Sequence, residues 1–343
     1  MTDKNFILTD LMNLEYHQDL KNFLSYCKID QQNIDLTHQY YMLHTYNLDE
    51  YKRKFVCCFP RFRLLENEDY FYDLNKRLKK VISLDFKLIM TDPWESNYTI
   101  EEKIKKNKNI FNLNHTNWSG GSSWFWFLMY EKYKDKELNI NHSNKLYDFL
   151  FLNKNPRDHR LDLFEKIQKE NILDNSLFSF TRKGIKLKEE YELPWVDRKN
   201  YPDMGSDQDI YELPYNYSCC SIVSETHIHN EIFITEKIWK PIITQQLFVV
   251  YGKANYLKDL RNMGFQTFSS IIDESYDEES DNNKRIEKII KLCQWIKKQD
   301  WRELYKKTEN IRRHNREHFF NKEALTLEVN KTVLGFLEFA DRS

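Results

Sequence analysis

The chain has 343 residues, more than the roughly 100–200 of a single domain, so two domains are expected. A hydrophobic share of 41% and an aromatic share of 15% exclude a disordered chain and allow a sizeable core. The net charge of −1 excludes a domain-wide positive field of the kind that holds nucleic acid or an anionic membrane.

In chain order, residues 1–80 are mostly irregular in pattern. The exception is the apolar run FVCCF at 55–59, read as a buried strand ended by Pro60. Residues 70–82 have helical spacing. Residues 84–90 alternate Leu84, Phe86, Leu88 and Met90 on one face, a strand that Asp92-Pro93 stops. From 118 comes WSGGSSWFWF: a Gly120-Gly121 turn, then Ser122 or Ser123 capping a helix that carries Trp124, Trp126, Phe127, Leu128 and Tyr130. It lacks the G-K-S/T of a phosphate loop, and its aromatics read as core. The polar stretch 132–146 marks the boundary between a first domain, 1–140, and a second, 145–343, which ends in a charged helical tail.

The second half is more regular. YDFLFL (147–152) is apolar enough for a strand buried on both faces, and a helix with Leu161, Phe164, Ile167 and Ile172 on one side follows. Strands are predicted at 177–180 and 218–223. FITEKIWKPIITQQ (233–246) reads as a helix distorted at Pro241, and LFVVYG as a strand ending at Gly252. NYLKDLRNMG is a helix closed by Gly264, FQTF (265–268) a last short strand, and 284–296 a helix with Ile286, Ile289, Ile290, Cys293 and Ile296 on one face. DESYDEESD (273–281) lacks the spacing of a calcium loop and reads as a solvated loop capping the next helix. Strands alternating with helices predict an α/β fold, a parallel sheet covered on both sides.

None of the six cysteines forms C-x-x-C, and no spaced Cys/His cluster offers a metal site. The N-terminus lacks a basic segment followed by an apolar core, and no run of about 18 apolar residues occurs. A soluble, cytoplasmic chain without a membrane span is the expectation.

In a parallel sheet, ligands bind beyond the carboxyl ends of the strands. Three segments fall there: NKNPRDHR, SETHIHNEIF running into TEK, and YGKAN. They offer Asn153, Lys154, Arg157, His159, Arg160, Glu225, Glu231, Glu236, Lys237 and Lys253. Cations at helix starts suit a diphosphate, and a carboxylate beside them suits the vicinal hydroxyls of a ribose or sugar. Thr235 would cap its helix and leave Glu236 and Lys237 at the positive end. The combination fits a nucleotide sugar.

FITEKIWKPI followed by LFVVYG resembles the signature of the family 10 glycosyltransferases, the α1,3/4-fucosyltransferases, in which a T-E-K-x-W segment precedes a V-P-V-V-x-G strand. SETHIHNEIFITEK resembles their F-E-N-S-x-x-x-D-Y-I-T-E-K, and FLNKNPRDHRLDLFEKI more loosely resembles an upstream S-N-x-x-x-R segment. Residues 1–140 align with none of it. The resemblance implies a GT-B fold: two Rossmann-like lobes with parallel sheets facing across a cleft. The N-terminal lobe would bind the acceptor and the C-terminal lobe the donor, GDP-fucose in the family. It implies inverting transfer to a hydroxyl of a glycan or other acceptor, with no metal and no cofactor beyond the donor.

By position, Lys237 and one of Arg157 or Arg160 would hold the diphosphate, and Glu236 the donor hydroxyls. Phe233 stands where the family has Tyr, and Asn153, Glu225 and Glu231 complete the donor side. The acceptor's proton needs a base, and Asp92-Pro93-Trp94-Glu95 offers Asp92 or, preferred, Glu95. Departures from the pattern are Ile232 for Asp, Pro241-Ile242 for Asn-Ala and Leu247-Phe248 for Val-Pro. They leave a UDP-sugar donor, or a non-catalytic nucleotide- or sugar-binding module, as alternatives.

Overall fold

The structure, a computed structural model, describes residues 6–9, 22, 25–26, 34–37, 55–58, 87–91, 115–118, 121–180, 208–228 and 233–342. The chain divides into two compact units, Met1–Leu128 with Leu325–Ser343, and Met129–Ala324. The end of the helical tail thus groups with the first unit.

The first unit contains a sheet of β1 (Phe6–Thr9), β2 (Ile34–Thr37), β3 (Phe55–Cys58), β4 (Lys87–Thr91) and β5 (His115–Trp118), in the order β2-β1-β3-β4-β5. Every pairing in it is parallel. β3 lies within the apolar run at 55–59, and β4 covers the second half of the strand expected at 84–90 and runs on to Thr91; residues 84–86 lie outside the described residues. β1, β2 and β5 are four residues each, too short to display a period of two. The helix expected at 70–82 lies outside the described residues.

Helix α1 (Gly121–Tyr133) begins before Ser122, so both serines sit in its first turn and do not precede it as caps. Ser123 is buried, and its hydroxyl accepts from Thr332 Oγ1 at 2.7 Å. Trp124 through Tyr130 are all buried, as a helix apolar on every side must be.

The second unit is built on β6 (Tyr147–Asn153), β7 (Leu177–Phe180), β8 (Ser218–Ser224) and β9 (Leu247–Tyr251), all parallel in the order β7-β6-β8-β9. Every residue of β8 and β9 is buried, which explains the unbroken apolar run of β9; the buried strand β8 carries Ser218, Ser221 and Ser224 among its small and apolar residues. Around them lie α2 (Asp158–Lys169), α3 (Glu212–Tyr217), α4 (Glu236–Ile243), α5 (Tyr256–Asn262), α6 (Asn282–Lys297), α7 (Trp301–Phe319) and α8 (Lys322–Arg342).

The crossover through α2 moves from β6 to one side, and the crossover through α4 moves from β8 to the other. Right-handed connections therefore put α2 and α4 on opposite faces. Phe164 of α2 packs on Phe151, Phe178 and Phe180, while Trp239 of α4 packs on Phe265 and on Phe319 of α7.

Two expectations are corrected. FQTF is not a strand, because side chains satisfy its backbone. Asn315 Oδ1 accepts from Gln266 N at 2.7 Å, Asn315 Nδ2 donates to Gln266 O at 2.8 Å, and Phe268 N donates to Glu274 at 2.6 Å. The acidic loop is not merely solvated. Asp281 caps α6 as expected, accepting from Lys284 N at 2.9 Å. Asp277, however, is buried and accepts from Leu257 N at 3.0 Å and Lys258 N at 3.3 Å. It thereby caps α5, whose own N-cap Asn255 is left-handed and gives no side-chain bond.

Candidate functional site

The chain leaves β6 for β7 on one side and later takes up β8 on the other. The topological switch point therefore lies between β6 and β8, and the carboxyl ends of these strands are where a sheet of this kind binds ligands. Continuing the register Phe149↔Cys220 to the strand ends sets Asn153 opposite Ser224, and Ser224 pairs with Tyr251. The segments after β6 and β8 flank this point, and they carry most of the residues singled out above.

Glu225 directly follows β8 and is 0% exposed. Its carboxylate accepts four hydrogen bonds: from Thr226 N at 3.1 Å, Thr235 N at 3.1 Å, Thr235 Oγ1 at 2.7 Å and the Tyr256 hydroxyl at 2.7 Å. Two of these partners are backbone N–H groups, which can only donate, and two are hydroxyls. Glu225 thus ties the end of β8 to the caps of α4 and α5, and its lone pairs are used inside the protein.

Its carbonyl oxygen orders the other side of the switch. Arg160 Nε donates to Glu225 O at 3.1 Å, and His159 Nε2 at 3.0 Å. Burial pushes the His159 imidazole down to about 4, so at neutral pH it is uncharged and Nε2 carries the donated proton. Arg160 is 2% exposed although it stands in the first turn of α2.

Thr235 caps α4 as predicted, accepting from Lys237 N at 3.5 Å. Glu236 and Lys237 pair at 2.5 Å at the positive end of that helix. Lys237 Nζ also reaches Thr226 Oγ1 at 3.0 Å and Thr235 Oγ1 at 3.2 Å. Arg160 Nη2 lies 3.5 Å from the same Thr226 hydroxyl. Two cations from opposite sides of the switch point therefore converge on one half-buried oxygen. Thr226 was not singled out from the sequence; its only signal is its place next to Glu225 at a strand end.

Arg157 packs against His227, 3.4 Å from both ring nitrogens, and the His227 ring meets Phe233 edge-on at 5.3 Å. Phe233 is thus a buried packing partner of His227. Lys253 pairs with Asp259 at 2.8 Å. Asn153 is 4% exposed, with neither side-chain atom hydrogen bonded. Asp92, Glu95 and Glu231 lie outside the described residues. Among the described residues no group of three His, Cys, Asp or Glu side chains could hold a metal, and no helix is long and apolar enough to cross a membrane.

Chemically, a guanidinium, an ammonium and a helix start around one hydroxyl are donors of the kind that bind oxyanions. No protein-family model matches the chain, and no curated protein matches it at a significant level.

Proposed function

We propose that the chain is an inverting glycosyltransferase of the two-lobed GT-B type, similar to family 10, that moves a sugar from a GDP-sugar to an acceptor hydroxyl. The observation that carries this reading is the convergence of Arg160 and Lys237 on Thr226 Oγ1 at the switch point. A phosphoryl oxygen of the donor takes the place of that hydroxyl. Two separate parallel sheets, each with its first strand between the second and third, support a two-lobed reading. The departures Pro241, Ile242, Leu247 and Phe248 are all buried, so they bear on packing and weigh little against a GDP-linked donor.

In the transfer, the bond between the sugar's anomeric carbon and the diphosphate breaks, and its electron pair goes to the phosphate oxygen. The acceptor oxygen bonds to that carbon from the opposite face, and its proton passes to Glu95 or Asp92. Arg160 and Lys237 stabilise the charge that grows on the leaving diphosphate. Glu236, fixed beside Lys237, accepts from donor hydroxyls and Arg157 borders the phosphates. Glu225 holds the frame.

Nucleotide release from GDP-fucose, and from UDP-glucose as the alternative donor, tests the reading. The parent protein is expected to release GDP. Lys237→Ala is expected to be slower by about 100-fold or more, the loss typical for one preorganised charge. Glu95→Ala should keep GDP affinity and lose turnover. A parent that binds nucleotide yet turns over neither donor with any acceptor supplied would be a binding module.

A further inference from the structure

The ends of β6 and β8 hold polar atoms that the diphosphate reading does not use. Asn153 closes β6 and Ser224 closes β8, opposite each other at the switch point, and they are 4% and 3% exposed. Asn153 Nδ2 and Oδ1, Ser224 Oγ and Asn155 Oδ1 are all buried without a hydrogen-bond partner. Asn153 shares a face with Phe151, which packs on Phe164 of α2, and Ser224 shares a row with Tyr251, whose ring lies 6.2 Å from His159. The unpartnered atoms therefore gather under the start of α2, on the side of Arg157 and His159. Arg157, the residue that caps this helix, gives it no side-chain bond.

A buried polar group left unpaired costs about 1–3 kcal/mol, and proteins keep such groups where something else supplies the partner. The chemistry of the set selects that partner. An oxyanion would satisfy the amide nitrogen and the serine hydroxyl but would face two amide oxygens. An ammonium would satisfy the oxygens and oppose the nitrogen. A hydroxyl both donates and accepts, and it suits either orientation of the Asn153 amide.

We infer that Asn153 and Ser224, with Asn155 beside them, form a subsite for a neutral carbohydrate hydroxyl, distinct from the Arg160–Lys237 phosphate position. The inference rests on the donor-site reading above and deepens it: one sugar hydroxyl of the donor is read at the β6–β8 strand ends, beside the hydroxyls that Glu236 takes and the diphosphate at the α4 start. The segment 154–157 has to lift to admit the sugar.

Calorimetric titration of GDP and of GDP-fucose, with UDP and UDP-glucose in parallel, into the parent, Asn153→Leu and Ser224→Ala tests it. Asn153→Leu keeps the shape and removes both polar atoms; Ser224→Ala is the milder variant should the first fail to fold. The expected result is nucleotide affinity within about twofold of the parent, with sugar-nucleotide affinity lower by roughly tenfold, the loss of about one well-made hydrogen bond. Equal weakening of nucleotide and sugar nucleotide would overturn the assignment, because the atoms would then serve the nucleotide half. No change in either would also overturn it, leaving only ordered water at the site. A parent that binds none of the four compounds would remove the glycosyltransferase reading, and the subsite with it.

Discussion

At the scale of single residues, two buried ionisable side chains show how this chain satisfies such groups inside. Glu225 has no cation bonded to its carboxylate in the hydrogen bonds described above, and four neutral donors hold it. Glu225→Gln places an NH2 among donors and is expected to lower stability by about 2 kcal/mol in urea unfolding. An unchanged midpoint would mean that the carboxylate is not the tie between β8, α4 and α5.

Lys145, 8% exposed, is the second case. Its ammonium meets His142 Nδ1 at 2.7 Å, Asn216 O at 2.8 Å and Tyr215 O at 3.1 Å, and lies 4.6 Å from the Tyr305 ring centre. Burial lowers His142 to about 3, so the imidazole stays neutral, gives its Nε2 proton to Thr244 O and accepts from Lys145 at Nδ1. Burial, with Arg312 nearby, pushes Lys145 from 10.5 down to about 7. Between those two values the unfolded chain holds a proton that the folded chain has released. Stability is therefore expected to climb as pH rises from 7 towards 10.5, with no slope from this group below 7. In urea midpoints measured from pH 6 to 10, Lys145→Met should lack that climb; parallel profiles for the two proteins would contradict it.

At the scale of elements, helix ends govern where the site segments sit. α4 stops with Gln245 N donating to Ile242 O at 3.1 Å and Gln246 N donating to Pro241 O at 2.8 Å, and Gln245 is left-handed at φ 52°. A residue with a Cβ is strained there, so Gln245→Gly is expected to stabilise by about 0.5–1 kcal/mol. α5 ends with glycine in the same role. At Gly264, φ 93°, a Cβ would lie 2.6 Å from the His318 ring, which is itself tied to Met263 O at 2.7 Å. Gly264→Ala is expected to cost about 2–3 kcal/mol, combining backbone strain and a clash. Thermal or urea unfolding of the two variants should move in opposite directions.

The same elements show what could be read in advance. β8, β9 and the Thr235 cap are legible because full burial and capping each impose a residue type. α3 falls in a stretch for which the sequence predicts no element; its Pro214 sits in the first turn, where a missing N–H is tolerated. FQTF misleads because a short aromatic segment after a helix resembles a strand, while its backbone partner is a distant amide, Asn315, which no local pattern can reveal. Thr226 and the idle amide of Asn153 became visible only when register brought the ends of β6 and β8 together.

At the scale of the whole molecule, the second unit is doubly wound, and its switch point follows from strand order before any side chain is considered. The chain then places Arg157 and Arg160 on one flank and Thr226, Glu236 and Lys237 on the other. The proposed glycosyl transfer requires this switch point to take a nucleoside diphosphate. Calorimetric titration of GDP and UDP, with EDTA present, into the parent protein and Lys237→Ala tests it most directly. The account predicts GDP binding that collapses in the variant while its unfolding midpoint stays put. Absence of binding by either nucleotide, or equal binding by parent and variant, would contradict it.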